Sequence, residues 1–203
     1  MNEKKRLFLF LGSSVTYGFA NGGVSFVEYV EEALGIPCVK EAVNGTTLAD
    51  TGSDSYVSRL HALKLEGVTH LIVQLSTNDV VRGVPRGCLS PSRNKDAFDL
   101  STTIGAVEFI VAYAKERWNC AVTFYTNPDF GRGEYGELVN ELYRVAEKWG
   151  AGILDFYSFR GMKKPKEKEL ASYMADPVHP NGAGYLWMGK IFAEYFGNHF
   201  PNS

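Results

Sequence analysis

The chain has 203 residues, enough for one domain with a substantial core, and its 21 Lys and Arg nearly balance 23 Asp and Glu. With 45% hydrophobic and 22% charged residues and a sequence pI of about 6.1, the composition is that of a soluble globular protein. It excludes bulk binding to nucleic acid or to an anionic membrane.

The start "MNEKKR" sets Lys4, Lys5 and Arg6 before the apolar run Leu7 to Leu11, which mimics a secretory signal. The run stops at polar Ser13 and Ser14, short of the roughly 7–15 apolar residues such a signal needs. No segment approaches the roughly 18 uninterrupted apolar residues of a membrane span, so the chain is expected to be cytoplasmic. "RLFLFLG" reads instead as a buried strand. Gly22 to Leu34 ("GGVSFVEYVEEAL") reads as a helix, and "CVKEAVNG" as a second strand containing Cys38. Ser53 to Glu66 is predicted helical, with Tyr56, Val57, Leu60, Leu63 and Leu65 toward one side. "HLIVQLST" is a third strand, near-continuously apolar like the first, as central strands covered on both faces are.

Val81 to Asp99 has no clear period and is rich in Gly, Pro, Ser and Arg; loops this long are often lids. A helix over Leu100 to Trp118 and the strand "AVTFYTN" follow. Tyr135 to Trp149 is amphipathic through Leu138, Leu142, Val145 and Trp149, and "GILDFY" is the fifth strand. Phe159 to Met174 is again aperiodic, its charged run "KKPKEKE" reading as a solvated surface, and Asn181 to Phe196 is the last helix. Such alternation predicts an α/β fold: a parallel sheet with helices on both faces in one domain over residues 1–203. The pattern resembles a three-layer, flavodoxin-like, five-stranded order, 2-1-3-4-5. Cys38, Cys88 and Cys120 are far apart, lack metal-ligand spacing and are expected to be reduced thiols, two of them in the core.

In open α/β sheets, ligands bind beyond the carboxyl ends of the strands. The first strand delivers Ser14 there, the second Asn44 and Gly45, the third Asn78 and Asp79, and the loop after the fifth Asp176 and His179. Acyl transfer needs these parts. A serine hydroxyl requires a base, which His179 can supply, and Asp176 can accept the other imidazole N–H. The backbone N–H groups of Ser14 and Gly45 and the Asn78 side-chain amide are available to an oxyanion.

Taken singly, Ser14 reads as a helix N-cap, Asn78-Asp79 as a turn and Asp176/His179 as a loop contact. Their convergence on one sheet edge reverses that reading. His61, His70 and His199 lie outside the set and are assigned structural roles.

"GSSVTYG", "NG", "STND" and "DPVHP", in this order from Gly12 to Pro180, resemble the blocks of the SGNH hydrolases, also called GDSL esterases/lipases. The resemblance implies a metal- and cofactor-independent serine esterase acting on a small-molecule ester. It makes Ser14 the nucleophile, Asp176 and His179 its triad partners, and Ser14, Gly45 and Asn78 the oxyanion hole. Two positions depart from the family pattern. Gly12-Ser13-Ser14 stands for Gly-Asp-Ser, leaving two candidate serines of which alignment with Gly18 favours Ser14. Ser76 stands for a usual Gly and is expected to put a side chain near the oxyanion hole.

A small acyl group such as acetyl on a sugar is the preferred substrate, with phospholipid or thioester as the lipid-directed alternative. A different class, a flavodoxin-like phosphate or flavin module, would use the first loop; it lacks the Walker lysine and leaves Asn78, Asp176 and His179 without a task. An α/β-hydrolase is disfavoured because no G-x-S-x-G elbow occurs.

Overall fold

A computed structural model describes residues 6–199. Lys4 and Lys5 lie outside them, as does the side chain of His199. Strands β1 (Phe8–Gly12), β2 (Cys38–Ala42), β3 (His70–Gln74), β4 (Ala121–Tyr125) and β5 (Gly152–Leu154) form one sheet in the order 2-1-3-4-5. Every pairing is parallel. The expected α/β architecture is therefore the observed one.

Alternation of side chains across the sheet explains why β1 and β3 are apolar throughout. Phe8 and Phe10 join the cluster on one face, and Leu9 and Leu11 the cluster on the other. The first face is covered by α2 (Phe26–Leu34) and α8 (Gly182–His199), where the Phe26 and Phe192 rings stack at 4.5 Å and Tyr125 meets Phe192 edge-on. The second is covered by α3 (Tyr56–Ala62), α5 (Thr103–Trp118) and α6 (Gly133–Trp149). No helix among the described residues is long and apolar enough to cross a membrane.

Helix ends follow capping chemistry rather than the apolar period. α2 starts later than Gly22 because Ser25 and Glu28 form a capping box: the Ser25 hydroxyl accepts from Val27 N, and the Glu28 carboxylate from Ser25 N. α3 is shorter than expected, Ser55 capping it by accepting from Ser58 N. Three short helices carry no legible period: α1 (Ser14–Tyr17), α4 (Thr77–Val81) and α7 (Glu167–Ser172). α7 lies in the stretch read as aperiodic, and only its Leu170 packs on the core.

The long segment after α4 is not a free lid. Buried Glu108 of α5 accepts from Ser90 N at 2.7 Å, pairs with Lys148 and accepts from Trp149 Nε1, while Lys148 Nζ donates to the Ser90 carbonyl. That polar knot fastens the segment to α5 and α6. All three cysteines are free thiols; Cys120 is buried, Cys38 half-buried and Cys88 exposed, so one rather than two is a full core residue.

His61 packs against Phe109 and Tyr113, and buried His70 hydrogen-bonds Thr123, as structural residues do. Because Phe192 touches Phe26, Tyr125 and Phe156, Phe192→Ala should lower unfolding free energy by about 3–5 kcal/mol, read from the midpoint of urea denaturation.

Candidate active site

The carboxyl edge of the sheet gathers the candidate residues. β1 ends at Gly12, where a Cβ would sit 1.7 Å from Thr16 Oγ1, so only glycine lets the chain turn straight into α1. Ser13 holds the N-cap position but makes no capping bond; Ser14 is the first residue of α1, and Gly18 closes it in the left-handed conformation.

The two adjacent serines differ sharply in surroundings. Ser13 is fully buried: its N–H and hydroxyl donate to Gln74 Oε1 at 2.9 and 3.3 Å, and its oxygen accepts from Asn78 Nδ2 at 3.2 Å. Ser14 Oγ instead meets His179 Nε2 at 2.8 Å.

His179 stands on the loop between α7 and α8. A bridge between Met174 and Pro180 and a hydrogen bond from Ala175 N to the His179 carbonyl fold this loop back on itself. Asp176 Oδ1 accepts from the N–H groups of Val178 and His179, both at 2.8 Å, and Asp176 Oδ2 meets His179 Nδ1 at 2.7 Å. Burial pushes the Asp176 carboxyl up, but hydrogen bonds from His179 and Val178 outweigh it and hold the group below the usual aspartate value. The ionised carboxylate makes Nδ1 the donating nitrogen and leaves Nε2 to accept from Ser14. Phe19, more than half exposed, lays its ring 5.0 Å from the imidazole.

Of the candidate oxyanion donors, Asn78 reaches the residue next to Ser14. Asn78 Nδ2 donates to Thr46 O at 2.9 Å as well as to Ser13, which ties α4 to the residue after Gly45. Gly45 has φ 75°, in the left-handed region, and the Arg82 guanidinium lies 3.5 Å from where its Cβ would stand. Ser76 does not narrow this space: it is buried, and its hydroxyl turns back to cap α4 by accepting from Asn78 N and Asp79 N. The helix cap won over the pocket.

Four side chains that the motifs did not assign hold the site together. Buried Asp79 accepts from Leu48 N at 2.7 Å, Ala49 N at 3.0 Å and Thr103 Oγ1 at 3.1 Å, pinning the loop that carries Gly45. Burial pushes its carboxyl up, and those hydrogen bonds oppose the shift. Arg59 of α3 donates to the carbonyls of Gly12, Glu41 and Asp54 and to Thr46 Oγ1, knotting the ends of β1 and β2. Gln74 ends β3 and Asn127 follows β4, each fully buried. The asparagine closing "AVTFYTN", at the edge where the other strands deliver their polar residues, was a visible signal; Arg59 had none.

A groove of about 390 Å³ runs beside Asp176, lined by Pro128, Asp129, Glu167, Leu170 and Met174 among others. No cluster of metal-ligating side chains occurs among the described residues.

A family model described as GDSL-like Lipase/Acylhydrolase matches residues 10–187. A search of curated proteins finds no match. Similar solved structures include a protein from Lactobacillus plantarum, at 20% identity with TM-score 0.77, covering 96% of this chain and 98% of the other. A possible lipase from Chitinophaga pinensis has 14% identity and TM-score 0.73, covering 95% and 98%. A candidate lipolytic protein of the G-D-S-L family from Desulfitobacterium hafniense has 18% identity and TM-score 0.69, covering 93% and 98%. At these identities the structures speak to the fold alone.

Asp79→Asn puts an amide N–H₂ where a carboxylate oxygen now accepts. It should destabilise the protein by about 1–3 kcal/mol, read by thermal and chemical unfolding.

Proposed function

The chain belongs to the GDSL-like lipase/acylhydrolase family, and we propose that it is a serine esterase that works through Ser14, His179 and Asp176. One observation carries this reading: the unbroken chain of hydrogen bonds from Ser14 Oγ through the imidazole to Asp176, at 2.8 and 2.7 Å. A hydroxyl facing a neutral imidazole nitrogen can lose its proton as it attacks.

Ser14 Oγ attacks the ester carbonyl while His179 Nε2 takes the hydroxyl proton. The imidazolium is stabilised by Asp176, which remains ionised throughout. The negative oxygen of the tetrahedral intermediate is met by the N–H groups of Ser14 and Gly45 and by Asn78 Nδ2. Ser14 N suits this task because the first N–H groups of a helix have no intrahelical acceptor. Asn78 Nδ2 turns toward the oxyanion from its present acceptors, Thr46 O and Ser13 Oγ. His179 then gives its proton to the leaving alcohol, and the acyl group rests on Ser14. Water, deprotonated by His179, releases the acid and restores the serine.

For substrate, we favour a small acyl group on a hydroxylated alcohol such as a sugar. Two features support this. Asp129 and Glu167 are among the residues that line the groove beside Asp176, and carboxylates accept hydrogen bonds from hydroxyl groups. The long segment after α4 is fastened down by Glu108 and Lys148, so it offers no mobile apolar cover for a long chain.

Ser14→Ala should abolish turnover of a short-chain chromogenic ester and labelling by a fluorophosphonate while leaving the circular dichroism spectrum unchanged. Full activity in that variant sinks the assignment. Asn78→Ala should lower kcat about 10²–10³-fold, and a change confined to KM removes Asn78 from the oxyanion hole. Across esters of increasing chain length and acetylated sugars, kcat/KM should peak at the small acyl groups. A peak at long chains would point instead to a lipid, received on the exposed Tyr17 and Phe19.

A further inference from the structure

β4 is the one central strand whose end has been given no part in the chemistry. The second residue past its end, Asn127, is fully buried and fixed at every polar group named here. Its Nδ2 donates to the carbonyl of Val178 at 3.2 Å, and its Oδ1 accepts from Gln74 Nε2 at 3.3 Å. Its backbone N–H donates to Tyr135 OH, which in turn donates to Leu75 O. Gln74 Oε1, at the other end, accepts from Ser13 N and Ser13 Oγ, and from Thr16 Oγ1 at 3.1 Å.

The direction of this relay is determined from both ends. Val178 offers only a carbonyl, so Asn127 must present its N–H₂ there and its oxygen to Gln74. Ser13 offers a backbone N–H, so Gln74 must present its oxygen there and its N–H₂ to Asn127. The two amides therefore join the residue before Ser14 to the residue before His179, in the only sense that satisfies every atom. Burial in a low-dielectric interior makes any reversal costly.

We propose that Asn127, oriented by Gln74, is a positioning residue that holds the His179 loop at hydrogen-bonding distance from the Ser14 turn. The inference rests on the esterase reading for its kinetic consequence, but the geometry it concerns can be tested without turnover. Asp176 orders its own turn and sets the imidazole tautomer. The Val178 side chain packs on the core, but Val178 O makes the directional bond from the loop to the end of β4, and without it the distance from His179 to Ser14 is less tightly fixed. A misplacement of about 1 Å between reacting groups can cost roughly 10²-fold in rate.

The test compares wild type with Asn127→Asp and Asn127→Ala. The first keeps the shape but sets a carboxyl oxygen against the Val178 carbonyl; the second removes both bonds. Each should lower kcat about 10–100-fold with KM little changed, and slow fluorophosphonate labelling to match. The downfield proton resonance of His179 Nδ1–H, identified by its loss in His179→Gln, should broaden or vanish in both variants. A folded variant with wild-type kcat and an unchanged resonance overturns the proposal. So does a rise in KM alone, which would make Asn127 a substrate contact, or failure of both variants to fold, which would make it purely structural. If wild type neither hydrolyses esters nor labels, the esterase reading fails, and the imidazole resonance still decides whether Asn127 positions the loop.

Discussion

Ser14 and His179 are 165 residues apart in sequence, yet their side chains meet at 2.8 Å. No local preference can bring them together. The parallel sheet does so, because every strand in it points the same way and releases its following loop at one edge. β1 lies inside that sheet, so the Ser14 turn emerges between the loops of β2 and β3, while the imidazole arrives from beyond the other edge, on the segment leading into α8. The Ser14–His179 contact depends on how stiffly that last loop is referenced to the first.

The stiffness comes from polar groups in places that usually hold apolar ones. Apolar side chains fill both faces of the sheet, but its carboxyl edge is tied by polar hubs: buried Asp79 beneath the Gly45 loop, half-buried Arg59 across the ends of β1 and β2, buried Gln74 and Asn127 behind Ser14 and His179. Each hub costs desolvation and repays it only when every bond is made. Hydrogen bonds are directional, whereas apolar contacts are not, so this edge acquires a defined shape where Ser14 and His179 meet.

The sheet order and the five long helices were legible from the sequence because apolar period reports burial. "LFLF" and "HLIV" read as central strands because they are near-continuously apolar, and Leu138, Leu142 and Val145 marked one face of α6. The helices α1, α4 and α7 were not legible, since four to six residues cannot display a period. Residue type and position at strand ends pointed to Ser14, Asn78, Asp176 and His179, and the structure brings the serine, histidine and aspartate into one chain of bonds. The roles of Gln74, Arg59 and Asp79 were hidden because what a buried polar side chain does depends on distant residues. Ser76 shows the reverse case: a side chain expected near the oxyanion hole serves its own helix instead.

The order in which the parts of this edge leave the ribosome has a consequence of its own. β1 carries Phe8 and Phe10, which are buried against Phe26, Phe192 and Phe196, two of them from α8. A nascent chain therefore presents its most water-averse strand long before its cover has been translated. Pairings of this sequence separation close late and leave sticky edges exposed meanwhile. Until α8 docks, the half-made protein has an unshielded phenylalanine surface and a Ser14 without its His179 contact, so the C-terminal stretch closes the core and the Ser14–His179 hydrogen bond together.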